Sequence, residues 1–136
     1  MRFDLYQAET ARIAAEQQAL LNTARSIIES GKPLSALEQG GVLHALQIII
    51  ENAIGKAKHW LKASNQPVPV SAYDAFQALA NIGAISQDSL PEWNAVIGLR
   101  NRIVHDYMNI DMGQVLSLVT ANKPQFIVDF LSKQFD

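Results

Sequence analysis

The stretch SALEQGGVLHALQIIIENAIGKAKHWLKAS, residues 35–64, decides the fold. Within it Leu43, Leu46, Ile50, Ala53, Ala57 and Trp60 follow one another at steps of three and four. Those steps draw one buried face on a helix turning about 100° per residue. Ser35-Ala36-Leu37-Glu38 has the spacing of a capping box, in which serine and glutamate satisfy each other's backbone N–H groups. The segment therefore predicts one helix, about 45 Å long at roughly 1.5 Å per residue. Gly40-Gly41 is the point where it can bend.

On the N-terminal side, Gly31-Lys32-Pro33 stops an earlier helix that starts near Phe3. Tyr6, Ile13, Leu20 and Ile27 recur there every seven residues, with Leu21 and Ile28 widening the stripe. On the C-terminal side, Asn65-Gln66-Pro67-Val68-Pro69 reads as a loop. Ser71 with Asp74 then caps a third helix ending near Gly83, and Pro91 lies in the first turn of a fourth. Asp111 caps a fifth helix through Val119, and Asn122 with Lys123-Pro124 opens a sixth carrying Phe126, Ile127, Phe130 and Leu131. No stretch shows sustained period-two alternation. The expectation is an all-α bundle of five to six helices, the first two long, forming a single domain over residues 1–136.

Composition narrows the function class. At 49% hydrophobic and 18% charged residues the chain suits a compact fold and argues against disorder. The apolar runs are short and broken by Glu, Lys or His, so no membrane span is expected. Met1-Arg2-Phe3-Asp4 leads straight into a helical pattern without the apolar core of a signal peptide. The absence of cysteine removes disulfides and thiolate metal sites, and fits the reducing cytoplasm expected for this chain. A net charge of −2 is unlike a protein that coats nucleic acid nonspecifically, so any nucleic-acid contact is local and selective.

Chemistry concentrates in Leu99-Arg100-Asn101-Arg102-Ile103-Val104-His105-Asp106-Tyr107. Arginine offers a permanently charged, planar fork of donors for phosphate oxygens, and histidine can take and return a proton near neutral pH. On a continuous helix Arg100 and Tyr107 share a face, as do Asn101 and His105, while Arg102 stands one turn before Asp106 at ion-pair spacing. Arg100 and His105, five apart, fall on different faces. The reach of arginine, a loosening of the helix near His105, or a symmetric dimer can still bring them to one phosphate. The dimer has a chemical reason: RNA cleavage through the 2′-hydroxyl gains from both a general base and a general acid, and two copies supply two imidazoles. Read without that chemistry, the same residues are surface groups that offset the negative end of a helix.

Other candidates are weaker. Lys56, Lys58, His59 and Lys62, interleaved with Trp60, form a second basic concentration, read either as a strand guide or as a solvated face. His44, Glu51 and Lys58 line one stripe, in which Glu51 either orients an arginine across a cleft or is plain surface. Three scattered histidines suggest no zinc site, the carboxylates suggest no two-metal site, and the glycines form no phosphate loop.

The pattern Arg-x4-His-x-Tyr, carried by Arg100, His105 and Tyr107 with Asn101 straight after the arginine, resembles the signature of the HEPN ribonucleases. Within them it is most similar to the HepT toxins of HepT/MntA toxin–antitoxin systems. The resemblance implies an HEPN-like homodimeric bundle acting as a growth-inhibiting, metal-independent endoribonuclease without a cofactor. It makes Arg100 and His105 the catalytic pair, with Asn101 and Arg102 as supporting contacts to the substrate phosphate. It makes Tyr107 the acceptor of adenylate groups from a MntA-like nucleotidyltransferase antitoxin, with which the toxin can form a hetero-oligomer. ATP would then be the partner's substrate. Some HEPN-type bundles are instead similar to non-catalytic substrate-binding or interaction subunits of nucleotidyltransferases. A mere binding subunit has no reason to keep Arg100 and His105 at this spacing.

Overall fold

The computed structural model describes residues 3–134, so Met1 and Arg2 of the opening stretch lie outside it. Six α-helices follow one another: α1 (Phe3–Glu29), α2 (Ala36–Ala63), α3 (Ala72–Asn81), α4 (Leu90–His105), α5 (Met112–Thr120) and α6 (Gln125–Ser132). Short 3₁₀ turns at Gln87–Ser89 and Tyr107–Asn109 flank α4, and no strand occurs among the described residues.

Local chemistry accounts for where these helices begin. Ser35 accepts from the Glu38 N–H while the Glu38 carboxylate accepts from the Ser35 N–H at 2.8 Å, completing the capping box of α2. Ser71 caps α3 through the Asp74 N–H, and Asp111 caps α5 through the Gln114 N–H. Pro91 occupies the first turn of α4, where a missing N–H costs nothing. At Gly40-Gly41, α2 continues as one helix.

The predicted face of α2 is the centre of the core. Leu43, Leu46, Ile50, Ala53, Ala57 and Trp60 are all buried, and the helix packs against α1, α3, α4 and α6. An aromatic cluster locks these elements together. Trp93 of α4 stacks on Phe76 of α3 with ring centroids 4.2 Å apart and meets Phe130 of α6 edge-on at 4.9 Å. Phe130 in turn lies 6.1 Å from Trp60 of α2. Such pairs contribute about 0.5–1.5 kcal/mol each beyond the area they bury. They anchor the first turn of α4, and with it the direction in which its last turn emerges.

Two expectations need correction. The buried line of α1 runs through Gln7, Thr10, Ala14, Leu21 and Ala24, one position off the seven-residue series, and Leu20 is largely exposed. Small and polar residues lie innermost because the neighbouring helix end supplies hydrogen-bond partners: Gln7 Nε2 donates to the Leu131 carbonyl at 2.9 Å. Lys56, read as part of a basic strip, is fully buried. Its Nζ donates to the carbonyls of Phe130 at 2.6 Å, Leu131 at 3.3 Å and Lys133, closing the C-terminal end of α6. The ammonium also lies 5.2 Å from the Phe130 ring centroid. Burial, reinforced by the Lys133 charge, pushes Lys56 down to about 8.

Candidate active site at the end of helix α4

Helix α4 carries the arginine- and histidine-bearing segment as its last two turns and stops at His105. Asp106 leaves the helix at φ −141° and ψ 40°, while its N–H still bonds the Arg102 carbonyl at 2.9 Å. The chain then makes the 3₁₀ turn of Tyr107–Asn109, and the Asp106 carboxylate accepts from Asn109 Nδ2 at 2.6 Å. The carboxylate is therefore committed to this turn, and among the described residues it makes no ion pair with Arg102. The helix loosening expected near His105 is present as this abrupt end.

The end changes one inference about geometry. Seven residues keep a common face only on an unbroken helix, and the break at Asp106 interrupts the register between Arg100 and Tyr107. Tyr107 instead stands outward on the turn, 54% exposed, beside Met108 at 90%. His105 and Arg102 are exposed in the last turn of α4, where positive charge also suits the helix end. Arg100 is half-buried, and its Nε is shielded from water without a hydrogen-bond partner in the chain.

Asn101 is also half-buried and points toward α3, donating through Nδ2 to the Tyr73 hydroxyl at 3.5 Å. Gly98, one turn earlier, lies beside this contact. A methyl group there would lie 3.7 Å from an Arg102 guanidinium nitrogen and 3.8 Å from the Tyr73 oxygen. Tyr73 and Arg102 thus flank the same small residue. Nothing in the sequence singles out Tyr73, whose contact with Asn101 spans 28 positions.

On its other side Arg102 borders two adjoining grooves. One of about 470 Å³ is walled by Leu46, Val96, Leu99 and Ile127 with Glu92 and Lys123 at its rim. The other, about 680 Å³, runs along α5 past Gln114 and Ser117. Both include Leu99, Arg102 and Leu118.

The remaining candidates resolve into structure. Trp60 is core, and Lys58 Nζ donates to the Val70 carbonyl at 2.8 Å. The His59 ring stacks on Tyr6 with centroids 4.1 Å apart, and burial pushes its pKa below the ordinary histidine value. The basic stretch is consequently no continuous strand guide. Glu51 is exposed and accepts from Gln47 Nε2 at 3.1 Å, with no arginine paired to it among the described residues. Among the described residues no three His, Asp or Glu side chains converge as a metal site, and no helix is long and apolar enough to cross a membrane.

Comparison with known proteins places this geometry in a family. The mRNA nuclease HepT of Shewanella oneidensis is 31% identical over 88 residues, covering 65% of this chain and 66% of that protein. The chain thus spans just under two thirds of the length of this relative. Among solved structures, the fold matches a chain of a toxin–antitoxin structure with AMP-PNP at TM-score 0.77 and 21% identity, covering 93% of this chain and 97% of the other. It also matches a chain of the tri-AMPylated Shewanella oneidensis HEPN toxin in complex with MNT antitoxin at TM-score 0.66 and 24% identity, covering 90% and 98%. These structural likenesses establish the fold. The family model described as ribonuclease HepT-like matches residues 14–131, nearly the whole bundle and all of α4. The chain belongs to the HepT-like ribonuclease family.

Proposed function

We propose that this protein is the toxin of a toxin–antitoxin module, an endoribonuclease working in the cytoplasm and silenced by adenylation of Tyr107. The observation that carries the reading is the end of α4. There an exposed imidazole, an exposed phenol two residues later and a half-buried arginine lie within eight residues. Membership of the HepT-like ribonuclease family supports it, as does a structural relative that carries AMP groups in complex with an antitoxin.

In the proposed reaction an imidazole takes the proton of the ribose 2′-hydroxyl, and the oxygen attacks phosphorus. The bond to the 5′-oxygen breaks, that oxygen receives a proton, and the products are a 2′,3′-cyclic phosphate and a 5′-hydroxyl. Arg100 stabilises the charge that builds on the phosphoryl oxygens. Asn101 and Arg102 hold the phosphate in register. One chain supplies one well-tuned proton carrier in the segment, so the working unit is a homodimer in which two α4 ends face one cleft. The exposed apolar side chains Val104, Tyr107 and Met108 around the segment favour such a contact.

Adenylate on Tyr107 acts by charge and bulk. Each added phosphate carries negative charge and acceptor oxygens to the Arg100–His105 region, where they compete with an RNA phosphate and repel its neighbours. The test is intact mass of the full chain made alone and made together with a MntA-like nucleotidyltransferase and ATP. Mass gains in steps of one AMP, mapped to Tyr107 and lost in Tyr107→Phe, are expected. A stable complex with no gain would favour the binding-subunit reading, and a gain elsewhere would overturn the assignment to Tyr107.

A further inference from the structure

Tyr73 is a partly exposed aromatic ring beside the proposed site. It sits in the first turn of α3, 40% exposed, and stacks on no other ring among the described residues. Its hydroxyl makes one long hydrogen bond, the 3.5 Å contact from Asn101, near the outer limit of such bonds. Yet its hydroxyl reaches α4 beside Asn101 and Arg102, the two supporting residues of the proposed site. Val70, three residues earlier, adds an apolar side chain that is 94% exposed. Lys58 pins the Val70 carbonyl, which holds that loop in place.

An exposed aromatic face next to phosphate-binding donors is how proteins hold an unpaired base. Stacking is tolerant of sequence because every base has a π face, and adjacent cationic groups take the backbone. We propose that Tyr73 is the stacking platform for the base next to the phosphate held at α4. This rests on the ribonuclease reading of α4. The ring carries the interaction and the hydroxyl is secondary, because its one bond is weak. A base paired in a duplex presents only its edges to a side chain, so the platform favours loops and free strands over helices.

The test uses the full chain with a fluorescein-labelled, single-stranded oligoribonucleotide of mixed sequence. Cleavage is followed with the natural strand, and binding with a 2′-O-methyl version that lacks the nucleophile. Tyr73→Ala is expected to raise KM and Kd roughly tenfold while kcat stays within about twofold. Tyr73→Phe restores both, and Tyr73→Leu, which keeps apolar volume, does not. Unchanged binding in Tyr73→Ala would overturn the proposal. So would a Tyr73→Phe as impaired as the alanine, which would assign the effect to the hydroxyl and Asn101, or a fully active Tyr73→Leu, which would assign it to packing. If the parent binds the methylated strand through Tyr73 but cuts no RNA, the platform stands and the catalytic reading falls. If the parent binds no single-stranded RNA, both fall.

Discussion

On the proposed mechanism, His105→Ala is expected to lower the rate of RNA cleavage by roughly a thousandfold and to abolish growth inhibition, with the fold unchanged. A positioned proton carrier contributes typically 10²–10⁴ in rate, and a thousandfold corresponds to about 4 kcal/mol of transition-state stabilisation. His105 is exposed at the end of α4, so truncating it opens no cavity. Its melting temperature should therefore stay within about 2 °C of the parent's. Arg100→Ala is expected to lose roughly a hundredfold or more through the missing charge stabilisation. Arg100 is half-buried, so part of its effect passes through stability and His105→Ala is the cleaner reading. His44→Ala, an exposed histidine on α2, serves as the control and should cut at the parental rate. Cleavage by His105→Ala within tenfold of the parent would remove the imidazole from the mechanism.

Lys56→Met destabilises the protein by about 3 kcal/mol, a fall of about 10 °C in melting temperature for a chain of this size. Methionine keeps most of the stem and its packing but removes the donor to three carbonyls at the end of α6. A buried carbonyl left without a partner costs roughly 1–3 kcal/mol. Gln7 still serves Leu131, so the loss falls mainly on Phe130 and Lys133. Opposing this, the substitution relieves the cost of burying an ammonium group, which bounds the net effect. The pH dependence has a definite sign. Folded Lys56 titrates at about 8, below the ordinary lysine value, so the unfolded chain holds more protons between that pH and about 10.5. The parent's stability therefore gains from this group as pH rises through the window, Lys56→Met lacks that gain, and the gap between them widens. Chemical denaturation at pH 7 and pH 9.5 reads both effects. A Lys56→Met chain as stable as the parent would mean that the carbonyl bonds only offset the desolvation.

What was legible in the sequence was what is local. The α2 stripe, the Ser35, Ser71 and Asp111 caps and the turn at Gly31 each depend on residues within four positions, and each stands where the spacing put it. Long-range chemistry was not legible. The polar line of α1 is buried because α6, more than a hundred residues away, offers Gln7 a carbonyl. For Lys56 a signal did exist: it stands three residues after Ala53 and four before Trp60, on the buried face itself. Register alone does not show it, because burying a lysine is costly and the carbonyls that hold this one lie outside the segment. The candidate site divides in the same way. Arg100, Asn101, Arg102, His105 and Tyr107 are readable as a run, whereas the helix end at Asp106 comes without glycine or proline to announce it. Tyr73 reaches the site only through the packing of α3 on α4.

If the end of α4 cleaves RNA through the 2′-hydroxyl, as proposed, the termini of the products carry the signature of that step. The chain, made without its nucleotidyltransferase, is incubated with a single-stranded oligoribonucleotide in excess EDTA, and the fragments are resolved by mass. Fragments ending in 2′,3′-cyclic phosphate and 5′-hydroxyl, with no cutting where the ribose at the cleaved position is replaced by deoxyribose, are the predicted result. Fragments bearing 5′-phosphate, or cutting of an all-deoxy strand, would contradict the account.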